Sequence, residues 1–217
     1  MAKRAYATDD KAARRRVILT AAAELFSKNS ELPSVAEVAA AAGLAKGTVY
    51  LYFRTKGAIF AAILLEGWSD VIDQLETAFQ SAEGEQGDKV AIFLRSFVRY
   101  LSDHPTQLQL DAIVQGLMER DLAPDELSAF KEALHRLISA GGAAVDEAFG
   151  LTPGRGVQLM VRTHALTRGL WAYFDASGEG AWPLSTFADE LLEALSEYWR
   201  GALAEAPPAS VSHIIHR

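Results

Sequence analysis

Between residues 45 and 56 the chain reads AKGTVYLYFRTK, and the residues there that could do chemistry are donors. Lys46 and Lys56 carry ammonium groups, and Thr48, Tyr50 and Tyr52 carry hydroxyls. Gly47 has no side chain, so backbone can come close to whatever is bound. Donors spaced along one short segment suit a phosphate backbone, and hydroxyls can also reach a base edge. Val49 and Phe53, four apart, form the core face of a short helix expected over Ala45–Phe53. At about 100° per residue, Gly47, Thr48, Tyr50 and Leu51 point away from that face. Leu51 is apolar on the outward side, which contact with a thymine methyl would explain. Tyr50-Leu51-Tyr52-Phe53 is also compatible with ordinary core, and the segment alone does not choose.

Other constellations are weaker. Glu132 and His135 make one Glu-x-x-His, half of what a di-iron helix bundle needs, and no second copy follows. His164, His213 and His216 have no partner at metal-ligand spacing, and His104-Pro105 reads as a helix junction. The chain has no cysteine, which removes thiolate metal sites and disulfides. With no phosphate-cradling glycine loop and no nucleophile elbow, the sequence predicts no enzyme, no metal and no cofactor.

The elements that must position the donors are helical. Arg14–Lys28 carries Ile18, Ala22, Leu25 and Phe26 on one stripe. After Asn29–Pro33, Ser34-Val35-Ala36-Glu37 is a capping box, the Ser34 hydroxyl taking an orphan N–H while Glu37 reaches back. The helix it starts buries Val35, Val38, Ala39 and Ala42 and stops at Gly43. Two short helices joined by a tight glycine turn and braced by a first helix make a helix-turn-helix, here over 34–53. Longer helices follow: Gly57–Ala82, Lys89–Asp103, Thr106–Glu119, Pro124–Phe149 with a break expected at Gly141-Gly142, Gly156–Ala176 and Leu184–Ala204. The fold class is all-α, a three-helix head on a body of about six helices. The expected domains are 1–56, 57–205 and a disordered tail over 206–217.

The 217 residues are 50% hydrophobic and 23% charged, a globular composition. Charge is divided unevenly. Residues 1–60 hold ten Lys and Arg against five Asp and Glu, and the remainder holds eleven against 23. A basic head can meet phosphate while an acidic body stays off it. Lys3, Arg4, Lys11 and Arg14–Arg16 form a basic arm, readable as a phosphate or minor-groove tracker or as a solvated tail. No uncharged apolar run is long enough for a membrane span, and the first residues, MAKRAYATDDKAARRR, hold no apolar stretch for a signal peptide, so a cytoplasmic location and no membrane partner are expected.

ILTAAAELF in the first helix, VAEVAAAAG, KGTVYLYF and Lys56 at the head of the fourth helix closely resemble the head of the tetracycline-repressor (TetR/AcrR) family, over about residues 14–64. Family members usually carry a Gly-aromatic pair and a Thr before the second helix, where this chain has Asn29-Ser30-Glu31-Leu32-Pro33. Gly57 stands where an acidic residue is frequent, a tolerable change. The resemblance implies DNA contacts at Ser34, Ala45, Lys46, Gly47, Thr48, Tyr50, Leu51, Tyr52 and Lys56. No Arg or Asn lies on the outer face of the reading helix, so phosphate clamping and DNA shape are expected to carry much of the specificity.

The resemblance further implies a homodimer built on Gly156–Ala176 and Leu184–Ala204, reading palindromic double-stranded operator DNA, and a body that binds a small-molecule effector. Leu166, Leu170, Phe174, Leu191, Leu195 and Tyr198 are apolar at helical spacing and serve core or dimer packing. Met160, Thr163, His164, Thr167 and Trp171 form an apolar stripe broken by polar groups. With Trp68, Phe97, Tyr100, Leu117 and Met118 they are the candidate ligand-binding residues, or else ordinary core. The expected function is a ligand-responsive repressor. The alternatives are a helical sensor whose head no longer binds DNA, and a helical-bundle enzyme.

Overall fold

The structure, a computed structural model, describes residues 2–81, 86–177 and 186–204. Among them the chain forms α1 (Ala2–Asn29), α2 (Val35–Ala41), α3 (Lys46–Tyr50), α4 (Lys56–Ser81), α5 (Gln86–Asp103), α6 (Pro105–Asp121), α7 (Pro124–Phe149), α8 (Arg155–Ser177) and α9 (Phe187–Ala204). No strand occurs among the described residues, as the all-α reading requires. The expected tail at 206–217 lies outside them.

Two compact units divide the chain: Met1–Ile72 with Asp103–Leu137, and Asp73–Ser102 with Ile138–Arg217. In the first, α1 buries Ile18, Leu19, Ala22 and Phe26, α2 buries Val35, Val38 and Ala39, and Val49 and Phe53 come from α3 and just beyond. Ile59, Phe60, Ala61 and Leu64 of α4, Leu110, Val114, Leu117 and Met118 of α6, and Phe130 of α7 complete one core. Burying each large apolar side chain contributes about 1.5–3 kcal/mol, so the short α2 and α3 are held by packing rather than by their own helix propensity. Phe26 meets Phe60 edge to face, with centroids 6.0 Å apart.

Local devices fix the ends. α1 closes on Ser30, which takes φ 55°, the left-handed region that favours glycine. This is the loop where the resemblance leads one to expect a glycine. α2 ends in a Schellman turn: Leu44 N–H donates to the Ala39 carbonyl at 2.9 Å, Gly43 N–H to that of Ala40 at 3.2 Å, and Gly43 sits at φ 65°. Thr55 Oγ1 accepts the Ala58 N–H at 3.1 Å and starts α4. Pro105 occupies the first turn of α6, where its missing N–H costs nothing. α1 starts at Ala2, so the backbone of the basic arm is helical rather than a tail. α3 is shorter than the sequence suggests; Leu51 and Tyr52 form a turn, although Phe53 N–H still reaches the Val49 carbonyl at 3.0 Å.

The second unit is built around aromatics. Trp199, fully buried, lies 5.3 Å from Phe93 and 6.1 Å from Phe149 between ring centroids, and Phe79 meets Phe149 edge to face and Phe93 at a tilt. Leu159, Leu191 and Leu195 are buried in the α8 and α9 helices. Asp146 of α7 accepts the Gly154 and Gly156 N–H groups at 2.7 and 2.6 Å, supplying the anion that the N-terminus of α8 favours. α7 does not break at Gly141-Gly142: it runs unbroken from Pro124 to Phe149.

Candidate nucleic-acid interface

The capping box forms as its spacing predicts. Glu37 N–H donates to Ser34 Oγ at 3.3 Å, and Ser34 N–H donates to Glu37 Oε2 at 2.7 Å. The Ser34 backbone N–H, and after it the Ser34 hydroxyl, hold the Glu37 carboxyl below its ordinary value. Ser34 stays exposed, at the edge of α2.

With Val49 and Phe53 buried, α3 can turn only its other side outward. Ala45, Lys46, Gly47, Tyr50 and Leu51 are exposed, Leu51 to 80% and Tyr50 to 44%. A leucine 80% exposed, two residues on from the core residue Val49, has no packing role within the chain. Lys46 Nζ stands 5.9 Å from the Tyr50 ring, which places the ammonium on that outward face. Thr48 and Lys56 are half-buried, and Tyr52 packs partly against the core. A β-carbon on Gly47 would meet nothing within 4 Å. The fold therefore leaves open the space that Gly47 keeps clear.

Contacts that no local pattern announces brace this face. Arg54, just beyond Phe53, pairs with Asp125 at 3.4 Å and Glu126 at 3.8 Å at the start of α7. Arg15 donates to Glu66 at 2.6 Å and lies 5.4 Å from the Phe53 ring centroid. A β-carbon on Gly57 would come within 2.9 Å of Asp121 Cβ. The residue that looked like a mere departure at the head of α4 is what lets α4 approach the end of α6.

The helix-turn-helix and its brace coincide with a family model. The model of bacterial regulatory proteins of the tetR family matches residues 18–63, and that of the tetracyclin repressor-like C-terminal domain matches residues 65–199, well over half of the chain. The chain belongs to the TetR family of transcriptional regulators. Solved structures share the fold. A Mesorhizobium loti protein described as a TetR-family transcriptional regulator superposes with a TM-score of 0.62 at 22% identity, over 89% of this chain and 96% of its own. The fatty acid degradation regulator FadR of Bacillus halodurans gives 0.58 at 16% identity, over 85% and 93%. A Rhodococcus TetR regulator gives 0.56 at 22%, over 87% and 96%. No curated protein matched the sequence.

In this TetR-family chain the ten candidate ligand residues divide between the two units. Trp68, Leu117 and Met118 belong to the first. Leu117 and Met118 are core, and the Trp68 indole N–H donates to Asp111 Oδ1 at 3.4 Å. Phe97, Tyr100, Met160, Thr163, His164, Thr167 and Trp171 belong to the second. There Thr163 Oγ1 accepts the Trp199 indole N–H at 2.8 Å, and Thr167 Oγ1 donates to the Thr163 carbonyl at 2.8 Å. Trp171 packs edge to face on Phe187 at 5.3 Å. Glu132 and His135 are exposed on α7, Glu132 accepting from Ser128 and pairing with Arg136. No group of three or more metal-ligating side chains stands together among the described residues. No described helix is long and apolar enough to cross a membrane.

Proposed function

We propose that this TetR-family chain is a cytoplasmic repressor, without catalytic activity, that binds a palindromic operator as a homodimer and is released by a small, largely apolar ligand. The observation that carries the reading is the outward face of α3: Leu51 and Tyr50 exposed, Lys46 beside Tyr50, and open space over Gly47. Exposed donors and a backbone left unobstructed at Gly47 support the approach of this face to a major groove. The candidate contacts are Ser34, Ala45, Lys46, Gly47, Thr48, Tyr50, Leu51, Tyr52 and Lys56, with Lys46 and Lys56 on phosphate. A dimer through α8 and α9 is supported by Val161 and Tyr173, exposed on α8 to 47% and 50%. The effector must bind the DNA-incompetent state better than the competent one, and by linkage operator DNA must weaken the effector equally.

The test is fluorescence anisotropy with duplexes taken from DNA upstream of its own gene, titrated with salt. Tight binding to one duplex, with a steep salt dependence that Lys46→Ala reduces by about one unit of log–log slope, is the expected result. Binding to no duplex even at low salt would overturn the reading and favour a sensor whose head no longer binds DNA.

A further inference from the structure

Within the second unit, Phe79 of α4 and Ala140, Ala143, Ala144 and Ala148 of α7 line a groove of about 490 Å³. That spacing sets the four alanines on one face of α7, and Ala140 and Ala143 are exposed there. Glu76 and Glu147 border the groove, and neither carboxylate has a hydrogen bond or ion pair among the described residues. Covering an apolar strip is favourable, and two unpaired carboxylates beside it favour an occupant that brings positive charge.

Three segments of this unit lie outside the described residues: 82–85, 178–185 and 205–217. The first reads AEGE and the second has Glu179 as its one charged residue, so neither brings a cation. The third, EAPPASVSHIIHR, sets His213, His216 and Arg217 around Ile214-Ile215, with Val211 just before them. It also leaves the unit beside the groove. Arg155 at the start of α8 donates to the Ala202 carbonyl at 3.1 Å, two residues before the last described one of α9. Its neighbour Gly156 donates its N–H to Asp146, which is next to Glu147. At no more than about 3.6 Å per residue, residues 205–210 extend up to about 20 Å. That exceeds the separation of two packed helices, about 8–10 Å.

We infer that residues 211–217 dock into this groove of their own chain. Val211, Ile214 and Ile215 cover Phe79 and the alanine face, and His213, His216 and Arg217 supply the charge that Glu76 and Glu147 lack. The docked segment joins the end of α9 to α4 and α7. The inference does not rest on the repressor reading above, since it involves neither DNA nor an effector.

The chain has no cysteine, so a pair of thiols can be introduced without background. The full chain carrying Ala143→Cys and Ser212→Cys is equilibrated in a glutathione redox buffer, and the disulfide fraction gives the effective concentration of the two thiols. Ser102→Cys with Ser212→Cys is the reference, because Ser102 is exposed near the end of α5 and does not line the groove. The first pair should form within single chains at an effective concentration about tenfold or more above the reference. Adding Glu76→Gln and Glu147→Gln should lower it about fivefold, the scale of an exposed ion pair. Adding Ile214→Asn and Ile215→Asn should bring it down to the reference. Equal values for the two cysteine pairs would overturn the proposal, as would a value that the glutamines leave unchanged. Disulfides that join two chains would also overturn it, placing the segment on a second copy instead. Should Ala143→Cys fail to fold, as its thermal melt will show, Ala140→Cys on the same exposed face takes its place.

Discussion

Gly142 of α7 and Gly156 of α8 are packed backbone to backbone. A β-carbon on Gly156 would overlap the Gly142 carbonyl oxygen, and one on Gly142 would stand 2.6 Å from the Val157 nitrogen. One turn on from Gly142, Asp146 takes the Gly154 and Gly156 N–H groups. The close approach and the cap depend on each other, because the carboxylate reaches those amides only while the helices touch. Backbone cannot move aside as a flexible side chain can. Gly156→Ala should therefore cost about 1–3 kcal/mol in urea unfolding. Gly116→Ala in α6, where a β-carbon meets nothing within 4 Å, should be neutral or stabilise by up to about 1 kcal/mol. Equal effects at the two positions would show that the approach is not tight.

Thr163 is the next test. It accepts the indole N–H of Trp199, and both residues are buried. Thr163→Val keeps the shape and removes the acceptor, leaving a buried donor unpaired. A loss of about 1–3 kcal/mol is expected, with emission from the tryptophans reporting the transition. A loss below about 0.3 kcal/mol would mean that the hydrogen bond is not part of the folded core.

These two sites show where sequence reading stops. Ser34 and Glu37 lie three apart, so their reciprocal bonds are local and were legible as a capping box. The outward face of α3 was legible for the same reason, since helical period alone sets Gly47, Tyr50 and Leu51 opposite Val49. Gly141-Gly142 misled, because glycine is a poor helix former and its local signal is a break. The close packing of α8 outweighs that propensity, and no pattern within α7 reveals it. Thr163 and Thr167 on an apolar stripe were equally compatible with a pocket and a core; the structure gives them hydrogen bonds inside the second unit. Arg15–Glu66 and Arg54–Asp125 join residues 51 and 71 positions apart, and distance in sequence leaves no mark by which such pairs are found.

Ser30 carries a smaller, separable prediction. Its φ of 55° costs a non-glycine residue energy that glycine does not spend. Ser30→Gly should stabilise the chain by about 0.5–1 kcal/mol after the added freedom of the unfolded state is offset. A raised midpoint in thermal unfolding is the expected result, and a lowered one would show that the Ser30 side chain makes a contact worth more than the strain.

The capping box should be visible in the pH dependence of stability. Glu37 has its carboxyl held below its ordinary value of 4.5 by the Ser34 N–H and hydroxyl. A depressed carboxylate contributes stability that is fully present above its unfolded value and lost as pH falls through its folded value. Glu37→Gln should therefore be less stable than the parent at neutral pH, and the difference should shrink once the pH drops below 4.5. Ser34→Ala removes the other half of the box and should cost about 1 kcal/mol. A gap between Glu37→Gln and the parent that stays constant down to the acid transition would rule out this linkage.

Gly47 separates folding from recognition most cleanly. It lies within α3, where alanine is the better helix former by roughly 0.8–1 kcal/mol in a helix interior, and a β-carbon there meets no atom of the chain within 4 Å. On stability alone, then, Gly47→Ala should be neutral or favourable. If α3 lies in the major groove with its backbone close to phosphate, the added methyl group must push the helix outward and lengthen the contacts of Lys46 and Thr48. The expected outcome is an unchanged or raised melting temperature together with an operator affinity lowered by roughly tenfold or more, which corresponds to about 1.4 kcal/mol. Full operator affinity in a stably folded Gly47→Ala protein would mean that this stretch of α3 does not approach DNA closely, and the DNA contacts would have to be sought at Leu51 and beyond.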